Sequence, residues 1–147
     1  MATSASVMPT GRELHSNSLS NLEVMVVDDE TDIRDLLADH LQDSHGLIVT
    51  AMPDGQAAVA ALERSNGRFG LVLTDINMPG ADGFEVLRAA RKANAAADVV
   101  MITGYGSGAS AEQASAFGAR NFLRKPFKLG DLDLILRGIG DRLAQHA

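Results

Sequence analysis

The chain has 147 residues, of which 46% are hydrophobic and 22% are charged, a balance that suits one globular domain with a full core. The formal net charge is −6, and the scattered Lys and Arg residues argue against direct binding to nucleic acid or to an anionic membrane. The sequence has no cysteine, which excludes disulfides, thiol catalysis and cysteine-bound zinc. No apolar stretch approaches the ~20 residues needed to cross a bilayer, and residues 1–21 lack the apolar core of a signal peptide, so we expect a cytoplasmic location.

Residues 1–21 are predicted to form a flexible N-terminal tail. They are rich in Ser, Thr and Asn and show neither a helical nor a strand period. Such a segment buries too little apolar area to offset the entropy lost on ordering. We therefore expect the folded domain to comprise residues 22–147.

The first half of the chain predicts two strand–helix pairs. The first strand is Leu22–Val27, and the apolar residues of the helix after it recur at helical spacing. These residues are Ile33, Leu36, Leu37 and Leu41. Gly46 is a predicted C-cap, and Leu47–Ala51 is the second strand. A second helix, from Gly55 to about Ser65, follows Asp54, a residue type that commonly caps helix N-termini.

The second half continues the alternation of strands and helices. Its predicted strands are Leu71–Thr74, Val99–Ile102 and Asn121–Leu123, and its predicted helices are Phe84 to about Ala93, Ser110–Phe117, and about Leu129 to Ala144. The last helix has one apolar stripe. The residues of this stripe are Leu132, Ile135, Leu136, Ile139 and Leu143.

This (βα)5 alternation predicts a three-layer α/β sandwich. Strands that alternate with helices of this length require right-handed crossovers and form a parallel sheet. The natural topology is flavodoxin-like, with five parallel strands in the order 2-1-3-4-5 and with strands one and three beside the switch point.

Four of the five predicted strands lead into chemically active side chains. The first is followed by Asp28 and Asp29, the third by Asp75, the fourth by Thr103 and the fifth by Lys125 after one intervening residue. Ligands of open parallel sheets bind beyond the carboxyl ends of the strands. We therefore expect these groups to share one site.

The chemistry of this acidic cluster favours a divalent metal and a phosphoryl group. Three converging carboxylates repel one another unless a proton or a cation lies among them, and ligands that are all oxygen suit Mg²⁺, or alternatively Mn²⁺. Thr103 and Lys125 are residue types that pair with phosphoryl oxygens. A carboxylate can also act as the nucleophile and form an acyl phosphate.

At this level of detail the chain resembles the receiver domain of two-component response regulators, the family of the bacterial chemotaxis regulator. The likeness covers about residues 22–144. The residues that carry it are Asp28-Asp29, Asp75 with Met78-Pro79 and Gly83, Thr103, Gly118-Ala119, and Lys125-Pro126-Phe127.

The resemblance implies specific roles for these residues. Asp75 would accept a phosphoryl group from a sensor histidine kinase or a histidine phosphotransfer protein. The ligands of Mg²⁺ would be Asp28, Asp29, Asp75 and the backbone carbonyl of Asn77. Thr103 and Lys125 would bind the phosphoryl oxygens, and the Lys125–Pro126 peptide bond would be cis. The chain would then be a phospho-acceptor switch that catalyses only its own phosphotransfer and dephosphorylation, not an enzyme that acts on a metabolite.

The resemblance also implies how the switch would signal. Phosphorylation would draw Thr103 toward the phosphate and let Phe122 turn inward, which changes the face formed by the fourth helix, the fifth strand and the last helix. An unknown downstream protein would read this face, and a phosphorylation-dependent homodimer is a further option. Asn77 and Tyr105 would border the path of the attacking water and tune the lifetime of the phosphate.

Two alternative functions stay open at the level of sequence. An aspartyl-phosphate phosphohydrolase of the haloacid dehalogenase type also uses a strand-end Asp, Mg²⁺, Thr and Lys, but the second acid of its DxD motif is replaced here by Asn77, which cannot act as a general acid. A receiver-like interaction module that is never phosphorylated is the other alternative. Such a module has no need for a self-repelling carboxylate cluster.

The histidines predict no metal site. His15, His40, His45 and His146 lack a spacing typical of metal ligands. The sequence also leaves open whether the chain acts alone or belongs to a longer regulator or hybrid kinase.

Overall fold

The computed structural model describes residues 19, 21–104 and 118–145. Its strands are β1 (Glu23–Val27), β2 (Ile48–Met52), β3 (Leu71–Asp75), β4 (Asp98–Thr103) and β5 (Asn121–Arg124). Its helices are α1 (Thr31–His45), α2 (Gly55–Glu63), α3 (Gly83–Ala93) and α4 (Leu129–Gln145). The helix predicted over 110–117, Tyr105, His15 and His146 lie outside the described residues.

The strands form one parallel five-stranded sheet in the order β2-β1-β3-β4-β5, which confirms the predicted flavodoxin-like topology. β1 pairs with β2 on one side and with β3 on the other. In the register of the central strands, Val27 lies opposite Thr74, and Asp75 lies opposite Ile102. The residues just beyond β1, β3 and β4 therefore end up next to one another.

Successive strand residues point to opposite faces of the sheet and so build two separate cores. The core under α2 and α3 includes Met25, Val27, Leu62, Val72, Leu87 and Met101. The core under α1 and α4 includes Val24, Val26, Leu37, Leu41, Leu132 and Leu136. Both faces of the sheet are therefore covered mainly by apolar side chains, which leaves the strand ends free for polar chemistry.

Helix termini follow the predicted signals. Gly46 ends α1 in the left-handed region at φ 68°, as its predicted role as a C-cap requires. The side chain of Asp54 accepts a hydrogen bond from the backbone N–H of Ala57 at 2.8 Å, which confirms it as the N-cap of α2. α4 continues to Gln145 and is tied to the sheet by an ion pair of 2.5 Å between Arg142 and the buried Asp98.

Two details differ from the sequence predictions. Leu36 was predicted to face the core but is 47% exposed, because the buried stripe of α1 runs through Leu37 and Leu41. Leu19, within the predicted tail, is buried against the core under α1 and α4. None of the helices in the described ranges combines the length and apolarity that crossing a bilayer requires.

Candidate functional site

The site lies at the carboxyl edge of the sheet. Asp28 directly follows β1, Asp75 and Thr103 are the last residues of β3 and β4, and Lys125 directly follows β5. The buried hydrophobic strands hold the backbone at these points, while the chain turns away just after them. The predicted convergence of strand-end groups is therefore present in the fold.

Lys125 brings the acids together. Its ammonium Nζ lies 2.7 Å from Glu30 Oε1, 3.0 Å from Asp75 Oδ2 and 3.4 Å from Asp28 Oδ2. The backbone N–H of Lys125 donates to the carbonyl of Thr103 at 2.7 Å, and the Lys125–Pro126 peptide bond is cis. The hydrogen bond to Thr103 thus ties the backbone of Lys125 to the end of β4.

Three carboxylates could hold a metal ion at this edge. Asp28, Glu30 and Asp75 each offer an oxygen, and these oxygens lie within 4.8 Å of one another. Sequence reasoning missed Glu30, although the run Asp28-Asp29-Glu30 shows a third acid after β1. The structure does not bring Asp29 into this group, and Asp29 is exposed.

Asp28 is the most deeply placed of the acids. It is fully buried, and its Oδ1 accepts a hydrogen bond from the backbone N–H of Glu30 at 2.9 Å. Its Oδ2 has no hydrogen-bond partner among the described residues and faces Lys125 across the 3.4 Å ion pair. Burial raises the pKa of Asp28, and the negative charge of Asp75 raises it further. The hydrogen bond from the backbone N–H of Glu30 lowers this pKa.

The electrostatics of Lys125 complement those of the acids. Burial alone would lower the pKa of its ammonium, but hydrogen bonds to Glu30 and Asp75 and the charges of Asp75 and Asp28 raise it above its ordinary value. The ammonium therefore stays charged and offsets part of the carboxylate repulsion.

A tight turn after β3 fixes Asp75. Its Oδ1 accepts a hydrogen bond from the backbone N–H of Asn77 at 3.0 Å, which leaves Oδ2 for Lys125. The backbone N–H of Gly83 donates to the carbonyl of Ile76 at 3.0 Å. A Cβ on Gly83 would lie 2.5 Å from the carbonyl oxygen of Asp75, so only glycine fits behind the turn.

The two predicted switch residues lie on neighbouring strands. Thr103 is buried at the end of β4, and a Cβ on the following Gly104 would meet nothing within 4 Å. Phe122 lies opposite Met101 in the sheet and packs, half-buried, against the core under α2 and α3. The structure thus provides a strand-end hydroxyl and an aromatic ring one strand away.

Comparison with known proteins identifies the type of domain. Residues 24–137 match the family model described as "Response regulator receiver domain". A receiver domain from Clostridium thermocellum has a TM-score of 0.76 and 25% identity, with 86% of this chain and 99% of that chain covered. The Vibrio cholerae chemotaxis protein CheY4 has a TM-score of 0.72 and 31% identity, with 82% of this chain and 99% of that chain covered.

Two of the curated relatives are longer transcriptional regulatory proteins. The transcriptional regulatory protein FixJ of Bradyrhizobium diazoefficiens is 38% identical over 105 residues, which cover 71% of this chain and 50% of FixJ. The transcriptional regulatory protein TcrA of Mycobacterium tuberculosis is 35% identical over 124 residues, which cover 84% of this chain and 48% of TcrA. The chain therefore spans about half the length of these relatives. With the family match over most of its length, the strand order and the acidic edge with its lysine, the chain belongs to the response regulator receiver domain family.

Proposed function

We propose that this receiver domain is a phospho-acceptor switch of a two-component system and that Asp75 takes the phosphoryl group. The observation that carries the proposal is the 3.0 Å contact between Asp75 Oδ2 and Lys125 Nζ, at the edge where Asp28 and Glu30 also converge. A carboxylate beside a cation and a set of oxygen ligands is suited to forming an acyl phosphate. Membership of the receiver family supports this role.

In the proposed reaction, a carboxylate oxygen of Asp75 attacks the phosphorus of a phosphohistidine on a sensor histidine kinase or a histidine phosphotransfer protein. A P–O bond forms, the P–N bond breaks, and the imidazole nitrogen leaves with the electron pair and takes up a proton. The Lys125 ammonium faces the negative charge of the phosphoryl oxygens. The chain catalyses only this transfer and the later hydrolysis of its own acyl phosphate.

Mg²⁺ is the proposed cofactor, and Mn²⁺ is an alternative. The buried Asp28 Oδ2 without a hydrogen-bond partner among the described residues, and a donor set made of carboxylates, fit a hard cation. Asp28, Glu30 and Asp75 would hold the ion directly or through its waters, and the family resemblance adds Asp29 and the carbonyl of Asn77. When bound, Mg²⁺ neutralises charge on the phosphoryl group.

The proposed output is a change of surface. Thr103 and Phe122 would respond to the phosphate. The helix predicted over residues 110–117, together with β5 and α4, would form the face that is read by a downstream protein in the cytoplasm or by a second phosphorylated copy. FixJ and TcrA are named as transcriptional regulatory proteins. An effector, either on the same polypeptide or separate from it, is therefore the proposed target.

The test is the intact mass of the chain after incubation with acetyl phosphate and Mg²⁺. We expect a gain of about 80 Da, the mass of one phosphoryl group carried as an acyl phosphate, which is lost in EDTA and in Asp75→Asn. Asp43→Asn, at an exposed acid of α1, is the matched control and should be phosphorylated like the wild type.

Two results would contradict the proposal. Metal-dependent release of phosphate that persists undiminished in Asp75→Asn would show that Asp75 is not the phospho-acceptor. An unmodified chain that also releases no phosphate, while still folded, would indicate an interaction module that is never phosphorylated.

A further inference from the structure

A second cluster of titratable side chains lies between α1 and α4, apart from the acidic edge. The Nε2 atoms of His40 and His45 lie 2.6 Å and 2.7 Å from the same atom, Asp133 Oδ1. One ligand atom from each side chain falls within 4.8 Å of the others. The two imidazole rings meet edge to face at a centroid distance of 5.3 Å. Three side chains from two helices thus converge on one point.

This cluster arises from the packing of α1 and α4, and the spacing of the histidines in the sequence does not predict it. His40 and His45 are five residues apart, whereas an i, i+4 spacing is typical of two metal ligands on one helix. His45 is the last residue of α1, directly before the left-handed Gly46. Asp133 follows the buried Leu132, which anchors α4 on the same side of the sheet as α1. The histidines thus lack a metal-ligand spacing in the sequence, as stated above, but the fold brings two of them together with Asp133.

The ligand atoms of His40, His45 and Asp133 suit a transition-metal ion of intermediate hardness. Two imidazole nitrogens and one carboxylate oxygen are ligands typical of Zn²⁺, which often keeps water in a fourth position. The side chains are 14%, 21% and 40% exposed, for His40, His45 and Asp133 respectively, so an ion could reach them from solvent. Nitrogen donors of this kind do not favour Mg²⁺, which separates this cluster chemically from the acidic edge.

The surroundings of the ligands support metal binding. His40 Nδ1 lies 3.3 Å from Ser44 Oγ, and this hydroxyl can accept the proton of Nδ1 once an ion takes the place of the proton between Nε2 and Asp133. Burial alone would raise the pKa of Asp133, but the hydrogen bonds and charges of His40 and His45 lower it, so its carboxylate is ionised at neutral pH.

The spacing of the donor atoms matches a metal-free, proton-bridged cluster. Metal–ligand bonds of about 2.0–2.2 Å in a tetrahedron separate neighbouring donor atoms by roughly 3.3 Å. The Nε2–Oδ1 distances of 2.6 and 2.7 Å would therefore widen by roughly 0.6–0.7 Å when an ion replaces the protons. Tips of partly exposed side chains can move this far by small changes of rotamer.

We propose that His40, His45 and Asp133 form a zinc-type site for a divalent transition-metal ion that joins α1 to α4. An ion held there would bind the folded domain more tightly than the unfolded chain, in which Asp133 is far from the two histidines. It would therefore stabilise the fold by mass action.

The test is thermal unfolding of the full chain with and without Zn²⁺, in excess Mg²⁺. With Zn²⁺ in about hundredfold excess over its Kd, we expect Tm to rise by about 5–10 °C. The double variant His40→Gln/His45→Gln should lose this shift. The double variant His15→Gln/His146→Gln, which removes the same number of imidazoles elsewhere, should keep it. Asp75→Asn should keep it as well, since the acidic edge is not involved.

A zinc shift that is absent in the wild type, or that survives in His40→Gln/His45→Gln, would overturn the proposal. If that double variant melts too early for comparison, Asp133→Asn replaces it, with Asp35→Asn at an exposed position of α1 as the control. Loss of the zinc shift in Asp133→Asn but not in Asp35→Asn supports the site. Equal zinc shifts in these two variants contradict it.

Discussion

At the scale of single residues, the turn behind Asp75 requires a residue without a side chain, and Gly83 is that residue. A Cβ on Gly83 would lie 2.5 Å from the Asp75 carbonyl oxygen and 2.7 Å from Ile76 Cα, both of them backbone atoms. Such atoms cannot move aside without displacing the end of β3. Gly83 therefore controls where the carboxylate of Asp75 lies, although it has no functional group of its own.

We expect Gly83→Ala to lower the free energy of unfolding by about 2 kcal/mol or more, because the added methyl group overpacks against backbone. Gly138→Ala is the matched control, since a Cβ there meets nothing within 4 Å and alanine favours α4 by about 1 kcal/mol. Urea unfolding of both variants measures the difference. A Gly83→Ala protein as stable as the wild type would refute the steric argument.

The residue scale is also where sequence reasoning was incomplete. Asp28, Asp75, Thr103 and Lys125 could be placed at one edge because each ends or follows a strand of a parallel sheet. Glu30 could not, since its contact with Lys125 depends on how the chain turns between β1 and α1. Periodicity describes strands and helices but carries no information about the direction of such a turn.

At the scale of elements, the link between α1 and α4 depends on ionisation. Both imidazoles bond to Asp133 Oδ1, and they hold the pKa of this carboxyl below its ordinary value of 3.8. A carboxyl whose pKa is lower in the folded than in the unfolded protein stabilises the fold above the unfolded value. This stabilisation disappears as the pH falls through the folded value.

We therefore expect Asp133→Asn to be less stable than the wild type at neutral pH, and the gap to close as the pH falls from about 5 through the lowered pKa of Asp133. Urea unfolding at a series of pH values, with a chelator present, measures the gap. Asp35→Asn should show no such closing gap. A gap for Asp133→Asn that stays constant or widens toward acid pH would contradict the assignment of this carboxyl as the stabilising group.

Element positions were the most predictable feature of the chain. The apolar strands and the caps Gly46 and Asp54 are local signals, and the structure has each predicted strand within a residue or so of its expected bounds. Contacts between elements were less predictable. The Arg142–Asp98 pair and the His40–His45–Asp133 cluster depend on how helices dock on the sheet, which no local pattern encodes.

At the scale of the whole molecule, the acidic edge lowers the stability of the metal-free domain. Burial raises the pKa of Asp28, so its charged form opposes folding when no metal is bound. Under the proposed function, the same buried oxygen would be a ligand of Mg²⁺. The domain is therefore expected to be less stable than it could be until the cofactor binds.

We expect Asp28→Asn to be more stable than the wild type by about 1 kcal/mol in EDTA, because an uncharged isostere removes the cost of the buried charge. Added Mg²⁺ should stabilise the wild type and the control Asp43→Asn, but not Asp28→Asn. Urea unfolding in EDTA and in Mg²⁺ compares the three proteins. An Asp28→Asn protein that loses stability in EDTA, or gains as much from Mg²⁺ as the wild type, would count against this view.

The position of Lys125 after the last strand has a consequence for biosynthesis. A ribosome that has made the chain as far as β4 has already produced Asp28, Glu30 and Asp75, but not the ammonium that contacts all three. Lys125 enters only when β5 has paired with β4 at the edge of the sheet. Under the proposed function, a nascent chain that lacks β5 should therefore be a poor phosphate acceptor, and competence to accept phosphate should coincide with completion of the sheet.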